Sequence, residues 1–451
     1  MHDAPVSTFA SLPASRDDCV ARDRADPLAP LRDEFALPSG VVYLDGNSLG
    51  ALPRRTASRL AEVAQREWGE GLIRSWNSAG WIDLPRRIGD RIATLIGARA
   101  GEVIVADSTS LNLFKVLSAA AALQRKDAPG RTAIVSERGN FPTDLYIAES
   151  VAAQAGMTLR LADGARIGEA LAGDVALLVL THVNYRSGRI HRLAELTAAA
   201  HAAGALVVWD LAHSAGALPL DLRGADADFA VGCGYKYLNG GPGAPAFLWA
   251  HPRHTERMDR EQLRQPLSGW LGHAAPFEFA PSYRPAAGVA RFVCGTPPVL
   301  AMAALECGLE VFAAAEPLGG LAALRKKSVA LGELFIARVE ARCAGVGLTL
   351  VSPRNADERG SQASFAHADG YRVMQALIER GVIGDFRGGQ APSEGDTRAA
   401  DATLGLDLLR FGFTPLYTRF VDAWDAAEQL HDVLASGGYR EERFGRRAKV
   451  T

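Results

Sequence analysis

Apolar residues along the first two thirds of the chain form two alternating patterns. Short continuous apolar runs predict buried strands at EVIVAD (102–107), TAIVSE (132–137), DVALLVL (174–180), ALVVWD (205–210) and ADFAVGCG (227–234). Between such runs, stretches such as RRIGDRIATLIG (86–97) and LNLFKVLSAAAAL (111–123) repeat apolar residues at helical spacing. Strands separated by helices at this rhythm predict an α/β fold, a mostly parallel central sheet with helices on both faces.

The two ends of the chain follow other patterns. Residues 1–40 are polar and rich in proline, which predicts a loosely attached arm. After about residue 300 helical patterns dominate and enclose short strands, as is typical of a smaller α+β domain. We therefore expect an arm with part of the small domain at 1–54, a large α/β domain at 55–300 and a small domain at 301–451. Residues 387–405 lack apolar periodicity and predict a mobile loop.

Composition narrows the class of protein. The 49 basic and 51 acidic residues give a net charge of −2, so no nucleic-acid or anionic-membrane partner is expected. The five cysteines form no C-x-x-C pair, and no signal peptide or membrane-length apolar run is visible, so a cytoplasmic protein is expected. Glycine motifs for dinucleotides and for a P-loop are missing, and HPRH (251–254) has no further ligand at metal spacing, so no metal is expected.

Chemically active side chains collect at the predicted strand ends. Ligands of parallel sheets bind beyond the carboxyl ends of the strands. The residues at or just after such ends are Ser108, Thr109, Phe141, Asp144, Asp210, His213 and Lys236. One site can therefore collect all of them.

Lys236 is the most unusual of these residues, because it leaves a predicted sheet in a glycine-rich turn after Tyr235. A lysine near a sheet with an acid from a neighbouring strand suits pyridoxal phosphate, where Lys236 forms the Schiff base and Asp210 pairs with the pyridinium nitrogen. Alternatively, Lys236 packs its stem on a tyrosine and Asp210 caps a helix. The combination with His213 favours the chemical interpretation.

Other candidates also have two interpretations. Ser108 and Thr109 precede a predicted helix, where they form either a phosphate site or an ordinary N-cap. Phe141 either stacks on a flat ring or staples a helix start. Trp76 lines a substrate pocket or covers a core edge, and Arg410 clamps a substrate carboxylate or pairs with a surface acid.

Eleven segments, in the same order along the chain from about Asp18 onward, resemble the bacterial kynureninase family. They are VYLDGNSLG, GLIRSWNSAGW, STSLNLFKVLSAA, NFPTDLYIAE, LTHVNYRSG, WDLAHSAGA, YKYLNGGPG, QPLSGW, VCGTPP, RGVIGD and RFGFTPLY. The resemblance implies fold type I of the pyridoxal-phosphate enzymes, within the class V aminotransferase-like group. It further implies a homodimer that hydrolyses L-kynurenine to anthranilate and L-alanine, a step of tryptophan breakdown that also serves NAD biosynthesis.

The resemblance also implies residue roles. Lys236, Asp210 and Tyr235 would be catalytic, with Tyr235 touching the phosphate and relaying protons. The cofactor would be bound by Ser108, Thr109, Phe141, Asp144, Asp210, His213, Tyr235, Lys236, Trp270 and Thr296. Of these, Trp270 and Thr296 would reach the phosphate of the partner subunit. Arg410 would grip the substrate α-carboxylate, while Ser48 and Trp76 would border its aromatic end.

Two rival functions remain open at this point. A cysteine desulfurase-like lyase would need a reactive cysteine on a mobile loop, and 387–405 contains none. Such relatives also commonly have His or Gln where this chain has Tyr235. A non-catalytic binding protein would not need Lys236, Asp210 and Arg410 together. The sequence does not decide between kynurenine and 3-hydroxykynurenine, because small pocket changes admit or refuse one hydroxyl. Two features depart from the family pattern, the long 387–405 loop and an added arm at 1–17.

Overall fold

The computed structural model describes residues 12–389 and 403–447. Its strands are β1 (Val42–Tyr43), β2 (Val103–Val105), β3 (Ala133–Glu137), β4 (Thr158–Ala162), β5 (Val175–Thr181), β6 (Leu206–Asp210), β7 (Phe229–Gly232), β8 (Phe247–Ala250), β9 (Thr349–Leu350), β10 (Gln362–Ala366), β11 (Val382–Ile383), β12 (Asp385–Arg387) and β13 (Leu408–Gly412). Its α-helices are α1 (Arg16–Arg24), α2 (Thr56–Glu62), α3 (Ser75–Ser78), α4 (Leu84–Leu95), α5 (Thr109–Asp127), α6 (Pro142–Ala155), α7 (Leu193–Ala202), α8 (Pro252–Arg260), α9 (Val299–Ala315), α10 (Gly320–Arg342), α11 (Gly370–Glu379) and α12 (Phe420–Ser436). A π-helical segment, Val63–Glu70, continues α2.

A seven-stranded sheet in the order β2-β8-β7-β6-β5-β3-β4 forms the centre of the fold. The five adjacent strands β7, β6, β5, β3 and β4 pair in parallel, and β8 runs antiparallel to both of its neighbours. Thr181 pairs with Asp210, and Asp210 with Val231, so β5, β6 and β7 end nearly level. This register brings the turns that follow the three strands to one edge of the sheet.

Both faces of the central sheet are buried, as its continuous apolar runs predict. Val207 and Trp209 of β6 pack into one core with Ile88 and Ile92 of α4. Val208, between them, faces a second core that contains residues of α5 and α6. Side chains alternate across a strand, so one short run supplies both cores.

A smaller antiparallel sheet, in the order β12-β13-β10-β9, lies in the C-terminal part of the chain. Its residues Phe365 and Phe411 share a core with Phe335 of α10 and with residues of α11 and α12. The N-terminal segment joins this region, because Val42 of β1 pairs in parallel with Val382 of β11. The residues around β1 are thereby placed beside the C-terminal sheet.

The five predicted strands and the predicted α/β class are confirmed, and so is a mostly parallel sheet with helices on both faces. Strands β4 and β8 and helix α8 were not predicted from the sequence. The division into 1–54, 55–300 and 301–451 stays a prediction. Of the expected loop at 387–405, residues 390–402 lie outside the described part, and Arg387 ends β12. None of the described helices is both long and apolar enough to cross a membrane.

The expectation of a loosely attached arm is wrong for the part of 1–40 that the structure describes. Helix α1 begins with a capping box formed by Ser15 and Asp18. Cys19, Leu31 and Phe35 are at least 97% buried in the two neighbouring cores. Sparse apolar residues therefore anchor a mostly polar segment, because each of them meets a core built by distant parts of the chain. Residues 1–11 of the predicted arm lie outside the described residues.

Candidate active site

The site lies at the carboxyl edge of the central sheet, where Lys236 is held in the turn after β7. The carbonyl oxygen of Lys236 accepts a hydrogen bond from the amide of Asn239, and Gly50 donates its amide to the carbonyl of Tyr235. Lys236 Nζ lies 2.9 Å from Nε2 of His213, which sits in the turn after β6. The structure therefore brings the predicted lysine and histidine into contact.

His213 is 97% buried, and its Nδ1 has no hydrogen-bond partner among the described residues. Burial lowers the pKa of His213 well below its usual value, and the charges of Lys236 and Arg410 lower it further. His213 is therefore neutral at physiological pH. A neutral ring accepts a hydrogen bond from the Lys236 ammonium at Nε2 and leaves Nδ1–H free for another group.

Asp210 and Asp144 form a buried carboxyl pair near Lys236. Burial raises the pKa of Asp144 well above its usual value, and the neighbouring Asp210 raises it further. Burial also raises the pKa of Asp210, whereas Lys236 and the amide of Ala212 oppose that rise. The Ala212 amide donates to Asp210 Oδ1 over 2.7 Å. Each carboxyl group is therefore buried beside a neighbour of like charge, which disfavours ionisation of the pair, while the charge of Lys236 favours it.

Aromatic rings form the walls around Lys236. Its Nζ lies 5.9 Å from the ring centroid of Phe141 and 5.8 Å from that of Tyr235. Phe141 stays 40% exposed and packs edge-on against Tyr185, with 5.2 Å between the centroids. Burial raises the pKa of Tyr235 above its usual value. Tyr235 is therefore a neutral hydroxyl that can donate a proton.

Ser108 and Thr109 lie at the start of α5, as predicted. The Ser108 hydroxyl accepts from the Leu111 amide over 3.4 Å as the N-cap. The preceding residue, Asp107, has a left-handed backbone with φ of 47°. Its carboxylate is ion-paired with fully buried Lys115 of the same helix. The first turn of α5 thus combines unpaired amides, hydroxyls and a helix dipole, which together favour a phosphate.

Arg410 lies on β13 in a buried cluster of charges and is only 1% exposed. It donates to the Tyr185 carbonyl over 2.6 Å and to the Ser48 hydroxyl over 2.7 Å, and it forms an ion pair with Asp385. Because Tyr185 also packs on Phe141, Arg410 and Ser48 are connected to Lys236 by a chain of direct contacts. Asp385 and the nearby Arg387 were not predicted as site residues, although they occupy alternate positions of GDFRG and therefore share one strand face.

Among the described residues of one chain, Lys236 Nζ contacts His213, Phe141 and Tyr235, and not Trp76, Trp270 or Thr296. Trp76 packs edge-on against Trp81 at 5.9 Å. Trp270 is 43% exposed beside Phe277 and Phe279, and Thr296 is exposed. Their predicted roles stay predictions.

Solved structures with this fold are known. An apo cysteine desulfurase from Thermococcus onnurineus NA1 aligns with a TM-score of 0.73 and 20% identity. The alignment covers 90% of this chain and 98% of the desulfurase chain. A mutant of the lyase C-DES with glycine covalently linked to its PLP cofactor aligns over 88% of this chain and 98% of its own, with a TM-score of 0.70 and 17% identity. At these identities the likeness concerns the fold alone.

The side chains of the site match the chemical groups of pyridoxal phosphate. Lys236 offers an amine for the aldehyde, Asp210 a carboxylate for the ring nitrogen, and the first turn of α5 a cradle for the phosphate. The unpartnered His213 Nδ1 is a buried polar atom that still needs a hydrogen-bond partner at this place. Fold and site together define a fold type I enzyme of the class that uses pyridoxal phosphate.

Sequence comparison names the family within this class. Residues 324–430 match the family model described as the kynureninase C-terminal domain. Kynureninases of Burkholderia pseudomallei and Pseudomonas fluorescens are 55% and 53% identical, each over 97% of this chain and 100% of the relative. The chain belongs to the kynureninase family.

Proposed function

We propose that this enzyme hydrolyses the Cβ–Cγ bond of L-kynurenine, giving anthranilate and L-alanine, and that it accepts 3-hydroxy-L-kynurenine in the same way. The observation that carries the proposal is the arrangement of Lys236 Nζ, which lies 2.9 Å from His213 between the rings of Phe141 and Tyr235. The choice of L-kynurenine as substrate rests on membership of the kynureninase family. Pyridoxal phosphate, when bound, supplies a ring that stabilises negative charge developing on the substrate carbons.

Asp210 would hold the cofactor ring through a charge-assisted hydrogen bond. Asp144 would support that role, because its raised pKa favours a neutral neighbour beside which Asp210 could keep its negative charge. Phe141 would stack on the ring, and His213 Nδ1 would donate to the cofactor. Ser108 and Thr109 would hold the phosphate at the start of α5.

Lys236 would move a proton at its Nζ atom during the reaction. As a free amine, Lys236 would take up the substrate α-proton while remaining in contact with neutral His213. His213 can accept a hydrogen bond from the ammonium that forms, so it stabilises the protonated state without adding charge. Tyr235, a neutral hydroxyl, would deliver a proton to Cβ when anthranilate leaves.

Arg410 would bind and orient the α-carboxylate of the substrate. Ser48 and Trp76 would border its aromatic end. We further propose a homodimer in which Trp270 and Thr296 reach the partner's phosphate site. Exposed apolar side chains support such an interface. They are Trp68, Leu72, Ile73, Trp270, Phe277, Phe279 and Leu300. The five free cysteines support a reducing, cytoplasmic setting within tryptophan breakdown and NAD biosynthesis.

The test is to incubate the purified protein with pyridoxal phosphate and L-kynurenine and to follow anthranilate by its fluorescence, then to repeat the assay with 3-hydroxykynurenine. Release of the anthranilate product with one equivalent of alanine is expected. Lys236→Ala should lose both turnover and the visible absorbance band of the bound cofactor. Absence of product from both substrates, in a protein that shows that band, would refute the proposed reaction.

A further inference from the structure

The charged cluster around Arg410 contains a second arginine, Arg387, that no predicted role includes. Arg387 lies two residues after Asp385 on β12, so both side chains leave the same face of the strand. Its guanidinium is 2.9 Å from Asp385 Oδ2 and 3.5 Å from the Ser48 hydroxyl. Arg410 uses the same two oxygens. The two guanidinium groups therefore flank one carboxylate oxygen and one hydroxyl.

The two arginines differ in how accessible they are. The Arg410 side chain is 1% exposed, and its terminal nitrogens are already bound to Tyr185, Asp385 and Ser48. The Nε atoms of both arginines are buried without a hydrogen-bond partner among the described residues, but the Arg387 side chain is 33% exposed. Of the pair, Arg387 therefore has the path to solvent by which a substrate carboxylate could reach it.

Arg387 also lies within electrostatic reach of the catalytic turn. Burial raises the pKa of Tyr235, and the charge of Arg387 opposes this rise. The same charge adds to the burial that lowers the pKa of His213. The Arg387 guanidinium therefore acts on the pocket that contains Lys236, and not only on its strand neighbours.

We propose that Arg387 is a second substrate-positioning residue, which forms with Arg410 a two-guanidinium site for the α-carboxylate. The inference rests on the proposed function and adds a residue to it. In the structure the carboxylate of Asp385 bridges both arginines, so the geometry already accommodates a carboxylate between two guanidinium groups. A substrate carboxylate would approach the Arg387 guanidinium from its exposed side, and the nearby positive charge of Arg410 would add to the attraction.

The charge balance of the cluster agrees with this role. Asp385 and Asp45 face Arg387 and Arg410, and burial together with Asp385 raises the pKa of Asp45 to about 7. When Asp45 is protonated, two positive groups face one negative group. The surplus of one positive charge would be balanced by one bound carboxylate.

Carboxylate recognition can be measured without turnover. The enzyme loaded with pyridoxal phosphate is titrated with L-alanine and with L-alaninamide, and the absorbance of the cofactor reports binding of each. L-alanine carries the α-carboxylate and lacks the aromatic ring. The wild type should bind it more tightly than the amide, and Arg387→Gln should reduce this preference by at least about tenfold, the effect of losing one charge-assisted hydrogen bond. The control is Arg380→Gln. Arg380 is an exposed arginine seven residues before Arg387 that contacts Gln429, so its replacement should leave the preference unchanged.

Arg387→Lys keeps the charge but not the planar fork, so it should lose at least about threefold in the same ratio. It also decides the question if Arg387→Gln does not fold. A purely structural role would weaken both ligands equally and leave their ratio at the wild-type value, and that result in either variant overturns the inference. If the wild type released no anthranilate, the proposed reaction would fail, whereas the alanine-to-alaninamide ratio would still report on Arg387.

Discussion

The Nζ atom of Lys236 and the Nε2 atom of His213 lie 2.9 Å apart in a site where the histidine is almost fully buried. Because burial keeps His213 neutral, it serves as a polar partner for the lysine without repelling its ammonium form. The contact joins the turns after two adjacent parallel strands, β6 and β7. The same edge of the sheet presents Asp210, so strand register brings the aspartate and the turns that carry the lysine and the histidine together.

Asp210→Asn should retain the cofactor and lose most of the activity. The amide still accepts a hydrogen bond from Ala212, but it cannot stabilise a positive ring nitrogen. We expect kcat to fall by at least about a hundredfold, since an ion-paired hydrogen bond is worth roughly 3 kcal/mol at a buried site. Anthranilate release and the cofactor absorbance band measure the two effects. A fully active variant would refute the role of Asp210, and Asp144→Asn, which keeps the Asp210 charge, serves as the milder comparison.

Asp45→Asn should flatten the pH dependence of the KM for L-kynurenine. Burial, followed by the charge of Asp385, raises the pKa of Asp45 to about 7 from an ordinary value of 3.8. Ionisation above pH 7 adds a negative charge beside Arg410 and weakens binding of a carboxylate, so the wild-type KM should rise several-fold between pH 6 and 8.5, on the order of 1 kcal/mol.

The same raised pKa predicts an effect on stability. The contribution of Asp45 to folding is complete below pH 4 and is lost as pH rises through about 7, since the folded state disfavours the charged form. Thermal unfolding of Asp45→Asn should therefore change less between pH 5 and 8 than that of the wild type. Exposed Asp33→Asn is the control. Equal slopes in Asp45→Asn and the wild type would contradict the prediction.

Lys115→Met should destabilise the protein by about 2–4 kcal/mol. Lys115 is completely buried, and it donates to Asp107 and, over 2.6 Å, to the Phe292 carbonyl. Its loss removes the charged donor from these two acceptors and from Asn112 Oδ1, beside the predicted phosphate cradle. Urea unfolding measures the change, and weaker binding of pyridoxal phosphate should accompany it. Lys126→Met, on the same helix with an exposed ion pair to Glu261, should cost less than about 1 kcal/mol. Equal effects would argue against the buried network.

Asp228→Asn should lower stability at pH 7 by about 3–5 kcal/mol, the effect of breaking a buried network of charges. Asp228 is fully buried and bound to His201, Arg253 and His254 at 2.6–2.8 Å. Although burial acts to raise it, hydrogen bonds from these three groups hold the pKa of Asp228 below its usual value.

Because the pKa of Asp228 is depressed in the folded state, its contribution is complete above about pH 4 and is lost as pH falls further. The wild type should lose stability steeply under acid, and Asp228→Asn should show a shallower slope. Exposed Asp226, which also contacts Arg253, provides the matched control Asp226→Asn. Thermal unfolding from pH 3 to 7 compares the three proteins, and an Asp228→Asn curve parallel to the wild type would contradict the assignment.

Local pattern determined much of this protein from the sequence alone. Buried strands appear as continuous apolar runs, and Lys236, Asp210 and the start of α5 follow directly from the ends of such runs. Neither the antiparallel β8 nor the packing of α1 could be found in this way. Each depends on partners elsewhere in the chain, since β8 lies between β2 and β7, and α1 buries Cys19 in the C-terminal core.

Only the tertiary structure decided how the charged residues combine. Ser48 and Arg410 are hydrogen-bonded although 362 residues separate them, and Asp45 acquires its raised pKa from burial beside Asp385. A sequence records the type and local spacing of residues. It does not record which distant side chains share a buried volume, and burial fixes the ionisation of the Asp45, Asp144 and His213 side chains.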